Sequence, residues 1–550
     1  MKQCLHALLA EQSARRPEAP ALFFQGASTT YGGLEQTSNR IARALQAAGV
    51  ARGDRVALLL PKSHRAITAM FGCLKADCVY VPLDVSSPAE RIGKILCKCG
   101  CSCVVAEHST TGLLSELLAN GFVDESVRIA WMDSAPGLNG VPQVQLSWPE
   151  IESHSDRPVD SFAAPDAAAH ILFTSGSSGT PKGVVITHAN VMHFVKWALA
   201  YFGMNSEDRN SGHPPLHFDL STFDIYGTIA SGAQLFLLPA EVSLLPHKLA
   251  DFIRTHQLTQ WFSVPWILQQ MAKFDVVQPN DFPSLKRILW CGETFPTPAL
   301  AYWMKRVPHG TFDNLYGPTE TTIASSHYRV PEYPQDATAE IPIGAPCGGE
   351  LLFILDDKLL PVKSPEIGDL YIGGVGLSPG YWNDPEKSKE AFRPNPYSSN
   401  PSDRLYRTGD LARLGADGMV YLVGRSDTQI KTRGYRVELG EVEAAVHAVP
   451  EIQDAAVVAF DDVDGAAICC AYVPRSGADL PPIALKKLLS RSLPQYMIPR
   501  RWITLSDMPR NANGKIDRPL LKEQFRKPDG GDWAQGLDPI RNRRGATLVH

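Results

Sequence analysis

No apolar run in the 550 residues approaches the ~18 that a membrane-spanning helix needs, so no transmembrane segment is expected. Charge of one sign is not in excess. Lys and Arg number 53 against 58 Asp and Glu, a formal net charge of -5, which leaves no electrostatic footprint for nucleic acid or an anionic membrane. The N-terminal stretch MKQCLHALLAEQSARRPEAP has one short apolar run, interrupted early by Glu11, Arg15 and Arg16, and does not match a secretory signal. The expectation is a cytoplasmic protein. Cysteine is sparse: 11 residues, an odd number scattered over a long chain, which excludes a disulfide scaffold. The one cluster, Cys97, Cys99, Cys101 and Cys103, alternates at every second residue instead of forming C-x-x-C pairs. That spacing reads as one face of an extended segment and not as a metal site. Repeats of 20–50 residues and low-complexity tracts are also missing.

What is present is an ordinary globular balance, 44% hydrophobic and 20% charged, in a chain longer than one core usually serves. Short β-branched runs alternate with helical patterns through the first ~400 residues: RVALLL (55–60), AAAHILFTS (167–175), GAQLFLLP (232–239), LTQWFSVP (258–265) and LKRILWCGE (285–293). Strands separated by helices imply an α/β fold with layered, largely parallel sheets buried on both faces. The polar, basic stretch GRSDTQIKTRGYR (424–436) marks a composition break. Beyond it, the segments at 437–462 and 468–474, the helical pattern at 483–495 and a loop ending NANGKIDRP describe a small α+β unit. The expected division is a large unit at 1–425, a small one at 426–525, and a disordered tail without periodicity at 526–550.

The strongest local signal is TSGSSGTPKG (174–183), between the apolar run AAAHILF and the helical pattern HANVMHFVKWALAYF. Glycine lets a backbone offer its N–H groups to phosphate oxygens at close range, and hydroxyls and a lysine add donors. The donors are Thr174, Ser175, Gly176, Ser177, Ser178, Gly179, Thr180 and Lys182. This is neither a Walker A loop, because Lys182 is not followed by Ser or Thr, nor the dinucleotide G-x-G-x-x-G.

With this loop the sequence resembles the adenylate-forming superfamily: acyl-CoA synthetases, luciferases and the adenylation domains of nonribosomal peptide synthetases. The resemblance covers roughly residues 5–525 and rests on motifs in the family's order. They are TYGGLEQTSNRIARAL (30–45), LKADCVYVPLDVSSPAERI (74–92), HFDLSTFDIYG (217–227), NLYGPTETT (314–322), YRTGDLARL (406–414), GRSDTQIKTRGYRVELGEVE (424–443) and NANGKID (511–517). The amino-acid-activating branch is the nearest in pattern. The resemblance implies ATP and Mg²⁺, a large N-terminal core and a small mobile C-terminal domain. It also implies transfer of the activated acyl group to the phosphopantetheine thiol of a separate carrier protein, acting in trans.

The resemblance assigns roles to particular residues. Lys515 matches the lysine that bridges the substrate carboxylate and the nucleotide, and Glu320 the metal-contacting carboxylate. Asp410 matches the acceptor of both ribose hydroxyls, a task that suits an acceptor-only carboxylate. Tyr316 matches the residue that stacks on adenine, with Gly292, Glu293 and Thr294 beside it and Asn314, Gly317 and Thr319 in the same loop. Arg425 is a ribose or phosphate contact and Asp427 the hinge about which the small domain turns, bringing RGYR (433–436) toward the site. Asp219 matches the partner of a substrate α-ammonium, because a buried ammonium needs an opposite charge.

Aligned by motif, the remaining pocket positions are Leu220, Phe223, Ile267, Leu289, Cys291, Leu315, Ile323 and Ala324. None is charged, so the pocket suits a small or medium apolar amino acid. Asp219, Leu220, Leu289, Leu315 and Ile323 together resemble the pocket of free-standing prolyl adenylating enzymes, which favours L-proline, while Phe223 and Ile267 depart from that pattern. An acyl-CoA ligase is the alternative, with CoA as the thiol acceptor. A non-catalytic adenylate-binding protein of the same fold is the other, and intact Lys515, Glu320 and Asp410 stand against it.

Overall fold

The computed structural model describes residues 4–133, 144–176, 179–462, 465–477, 480–511, 515–526 and 546–549. The chain divides into two compact units. The first comprises Met1–Val85, Leu96–Phe173 and Gly183–Asp427, and the second Ser86–Ile95, Thr174–Lys182 and Thr428–His550.

The first unit is a mixed α/β body built on two large sheets, one of seven strands and one of nine. The apolar runs of the sequence supply their strands: Arg55–Leu59, Ala168–Thr174, Gln234–Leu237, Gln260–Ser263 and Arg287–Cys291. Pairing is parallel at the centres of both sheets, as in Val56 beside Tyr80 and Leu289 beside Asp313, and antiparallel at the edges of the nine-stranded one. One core cluster draws on both sheets and on the helices Tyr31–Ala47 and His64–Lys75. Leu22, Val56, Leu58, Tyr80 and Leu235 all belong to it. Each of those helices is capped by a hydroxyl, Thr30 or Ser63, that accepts from a backbone N–H of the first turn. A further five-stranded antiparallel sheet carries Ile367–Gly374, Arg404–Leu414 and Val420–Arg425.

In the second unit a four-stranded sheet is led by Ile452–Asp462 and Gly465–Pro474. Alternate residues of these strands feed opposite cores, as a period of two requires. Val457, Ala459, Ile468 and Cys470 pack with the helices Leu439–His447 and Pro482–Leu489. Ala456, Val458, Phe460 and Cys469 pack with Leu521 and Phe525 of the helix Arg518–Arg526. The polar stretch at 424–436 contains a hairpin, Gln429–Thr432 with Tyr435–Glu438, turned by Arg433 (φ 54°) and Gly434 (φ 84°). Two successive positive φ values give the tight turn whose twist suits a hairpin.

Three expectations need correction. The alternating cysteines do not share an extended segment: Cys97 and Cys99 end the helix Ala89–Cys99, and only Cys103 lies in a strand, Cys103–Ala106. Amphipathic packing of the helix overrode the period-two pattern. The helix expected over 483–495 stops at Leu489, and Pro494 lies beyond its end. In the expected tail, Ala546–Val549 forms a strand paired antiparallel to Arg501–Leu505. A three-residue β-branched and leucine run, Thr547 to Val549, gave too short a signal, and the rest of 527–550 lies outside the described residues. Among the described residues, no helix is long and apolar enough to cross a membrane.

Candidate active site

The strand Thr311–Tyr316 lies at the centre of the first unit's site, because adjacent residues on it face opposite ways. Leu315 belongs to a buried apolar cluster with Leu220, Phe223, Leu289, Cys291, Ile323 and Ala324. Tyr316 belongs to another, with Ile343, Leu370, Ile372 and Ala412. Seven of the eight pocket positions expected from the sequence therefore meet in one place. Ile267 does not join them; it packs with Trp261, Leu268, Met271 and Leu300 in a separate core.

The cluster also contains residues that motif alignment missed: Phe194, Ala198 and Phe202 from the helix His188–Phe202, and Phe262 from Gln260–Ser263. The four-residue spacing of Phe194, Ala198 and Phe202 was the available signal. Phe223 meets Phe194 edge-on at 5.4 Å between centroids and Phe262 at 5.7 Å. Asp219 opens the helix Asp219–Ser231, where the N-terminal end of the helix dipole favours a carboxylate. It is 9% exposed and accepts a hydrogen bond from the Thr319 hydroxyl at 2.9 Å.

The loop that follows Tyr316 is tight. Gly317 lies against the chain at Ala324, and a Cβ there would sit 2.6 Å from the Ala324 Cα. Thr322 (φ 62°) and Ile323 (φ 72°) are both β-branched residues with left-handed backbone, a strained arrangement that clusters at functional sites. The Thr322 hydroxyl holds the loop by donating to the Gly376 carbonyl at 2.7 Å. Glu320, wholly buried, accepts from the Tyr381 hydroxyl at 2.8 Å. Tyr381 was not singled out in the sequence, and no local pattern marked it. Asn314 donates to the Pro342 carbonyl at 2.8 Å, and Gly292, Glu293 and Thr294 follow the strand Arg287–Cys291, with Thr294 exposed.

Asp410 lies opposite Arg425 in register on antiparallel strands, and the two form an ion pair. Its second oxygen accepts from the Tyr316 hydroxyl at 2.5 Å. Burial first, and then the neighbouring carboxylate, hold the Tyr316 phenol well above its ordinary pKa, so it remains a donor. Arg425 also forks onto Asp427, both bonds at 2.7 Å. Both oxygens of Asp410 thus already have protein partners, and a ribose would use their remaining lone pairs. Asp427 is the last residue of the first unit.

In the second unit the described part of the glycine-rich loop meets carboxylates. The Gly176 N–H donates to Glu441 at 3.2 Å, Lys182 lies 3.5 Å from Glu438, and Ser175 donates to the Arg436 carbonyl at 2.9 Å. Glu441 is paired in turn with Arg91. Gly176 tolerates no side chain, since a Cβ would stand 2.1 Å from the Thr180 carbonyl oxygen. The Thr174 hydroxyl oxygen is buried without a hydrogen-bond partner. Two of these donors, the Gly176 N–H and Lys182, already hold anionic oxygens, and an orphaned hydroxyl stands at the loop's start; a phosphate fits such a set. Ser177 and Ser178 lie outside the described residues. Lys515 is exposed on a turn closed by Asn511, whose side-chain oxygen accepts from the Lys515 N–H at 3.1 Å.

This fold and these two sets of groups define an adenylate-forming enzyme. Residues 9–382 match the AMP-binding enzyme model and 441–515 the AMP-binding enzyme C-terminal domain, so the chain belongs to the AMP-binding enzyme family. It is 35% identical over 512 residues to L-proline--[L-prolyl-carrier protein] ligase of Streptomyces coelicolor, covering 92% of this chain and 94% of that one. It is 33% identical over 519 residues to tyrocidine synthase 3 of Brevibacillus parabrevis, covering 94% of this chain but spanning only 7% of that protein's length. The Vibrio cholerae adenylation domain AlmE, solved with glycyl-adenosine-5'-phosphate, superposes with a TM-score of 0.82 at 25% identity over 96% of this chain and 98% of that one.

Proposed function

We propose that the protein activates an apolar amino acid, L-proline first among them, as its aminoacyl-AMP, and then passes it to the phosphopantetheine thiol of a separate carrier protein. The observation that carries this reading is the placement of Asp219. A nearly buried carboxylate heads the helix whose next residues, Leu220 and Phe223, enter an uncharged cluster. A fatty or aryl acid has no ammonium to pair with such a carboxylate, whereas an amino acid does. The full-length similarity to a prolyl-carrier-protein ligase supports both the substrate and the acceptor.

In the first step a substrate carboxylate oxygen forms a bond to the α-phosphorus of ATP, and the α–β bridging bond breaks to release pyrophosphate. The carboxylate is already ionised, so the chain supplies position and charge compensation instead of a base. Asp219 holds the ammonium, Lys515 the carboxylate and the nucleotide, and Asp410 the ribose, while Tyr316 lies along the adenine. Thr174, Gly176 and Lys182 donate to the phosphates. Mg²⁺ would offset phosphate charge. Glu320 would be the protein carboxylate that holds that ion, since Mg²⁺ needs only one or two such ligands. In the second step the thiol sulfur bonds to the acyl carbon, AMP leaves, and the thiol proton is lost to solvent.

The test is pyrophosphate exchange across the apolar amino acids. Proline-dependent exchange, followed by mass transfer to a phosphopantetheinylated carrier protein and not to CoA, is expected. Exchange driven by no amino acid would end the reading, and acylation of CoA alone would replace the acceptor.

A further inference from the structure

Lys62 stands in the turn between the strand Arg55–Leu59 and the helix His64–Lys75. Part of its stem is exposed, but its ammonium lies deep among protein atoms. The ammonium donates to three successive carbonyls, of Gly212 at 2.7 Å, His213 at 2.7 Å and Pro214 at 3.4 Å. Three N–H donors therefore meet three acceptors, the full capacity of the group. Those carbonyls belong to the segment that leaves the strand Arg209–Gly212 and enters the helix Asp219–Ser231. Whatever fixes residues 212–214 fixes the path by which the chain arrives at Asp219.

Asp224 lies on that same helix, 2% exposed, and neither of its carboxyl oxygens has a hydrogen-bond partner. Burial drives its pKa well up, and Lys62 is the charge that opposes the shift; burial likewise lowers the Lys62 ammonium to about 7, opposed by Asp224. No hydrogen bond joins the two, and the Lys62 ammonium is held instead by the three carbonyls. A buried lysine or a buried aspartate alone is strongly disfavoured.

We propose that Lys62, through its three hydrogen bonds to residues 212–214 and with Asp224 as its buried counter-charge, fixes the main chain there and thereby positions Asp219, making Lys62 a positioning residue for the substrate ammonium. The inference rests on reading Asp219 as that ammonium's partner. The pair acts on the amino acid alone, because Tyr316, Asp410 and Arg425 are held by hydrogen bonds of their own.

The experiment is amino-acid and ATP titration of pyrophosphate exchange in Lys62→Met, Asp224→Asn and the double variant, each checked for folding by thermal melting. Lys62→Met should raise the amino-acid KM about tenfold with the ATP KM within about twofold, and Asp224→Asn about threefold. The double variant should resemble Lys62→Met alone, because the two effects act through one pair. A folded Lys62→Met with an unchanged amino-acid KM overturns the proposal, as does a rise of both KM values together. Should Lys62→Met fail to fold, Asp224→Asn, which keeps the shape of the side chain, decides the matter by the same two criteria. Wild-type protein that exchanges with no amino acid removes the functional reading itself. Wild-type exchange beside silent variants removes only the pair.

Discussion

Leu315 and Tyr316 are neighbours in sequence, yet they look into corners of opposite character. The corner around Leu315, the acyl side on the proposed reading, is uncharged and closed by packing, with Phe223 between Phe194 and Phe262 and with Leu289, Cys291 and Ile323 in the same cluster. The corner around Tyr316, the nucleotide side on that reading, carries a chain of charge-assisted bonds, from Tyr316 to Asp410, Arg425 and Asp427. One corner selects by volume, where a single methylene changes little. The other selects by hydrogen-bond geometry, where a missing partner leaves a buried group unpaired. On that reading one strand serves both, and specificity for the acyl group can vary without disturbing the nucleotide. Asp219 is the exception on the acyl side, a charge at the mouth of an apolar space.

The largest effect should come from a residue in neither corner. Lys515→Ala removes an exposed side chain, so folding should be untouched, while the adenylation rate should fall about 10²- to 10³-fold, the scale of losing one preorganised charge contact. An unchanged exchange rate would mean that the two corners suffice. Next come mirror-image variants that split the corners. Asp219→Ala should raise the amino-acid KM about 100-fold with the ATP KM nearly constant, since it leaves a desolvated ammonium unpaired. Asp410→Asn should raise the ATP KM about tenfold with the amino-acid KM nearly constant. Equal rises in both constants for either variant would show that the corners are coupled.

Phe223→Ala tests the packing side. The ring is wholly buried against three other aromatics, Phe194, Phe202 and Phe262, so its loss should lower stability by about 3–5 kcal/mol and open a cavity. Thermal melting reads the first effect. The second appears as exchange with larger apolar amino acids than the parent accepts, and an unaltered substrate profile would place the selecting wall elsewhere.

How much of this was legible in sequence follows the same divide. Apolar runs became strands because burial on both faces demands them, so the sheet centres could be read directly. Pocket residues tied to motifs, from Leu220 to Ile323, converge; Ile267, placed by position along VPWIL, lies in another core. Phe194 and Phe262 were missed because a buried aromatic in a helix or strand looks the same in sequence whether it faces a pocket or a core. The Asp410–Arg425 pair depends on cross-strand register over a separation of 15 residues, and Glu320 with Tyr381 on one of 61. Long-range pairings of this kind carry no local signal.

The smallest expected effect asks whether the acyl corner feels pH while the nucleotide corner does not. Glu350 is 5% exposed; one oxygen accepts from the Gly376 N–H at 2.8 Å, and His193 lies 3.5 Å away. Burial lowers the pKa of His193, which disfavours its charged form, and burial raises that of Glu350 from 4.5 to about 7. Between those two values the folded protein keeps a proton that the unfolded chain has lost, so stability falls as pH rises through the window and is flat above it. Gly376 ties this carboxyl to the site, because its carbonyl accepts from Thr322, the strained residue before Ile323. Glu350→Gln cannot ionise, so its stability relative to wild type should climb from pH 5 to pH 8 by roughly 1–3 kcal/mol in urea unfolding. The amino-acid KM of wild type should drift upward over the same interval about twofold while the ATP KM holds steady. A stability difference that stays constant with pH would show that the carboxyl is ionised throughout and that Thr322 is held by its hydrogen bond alone.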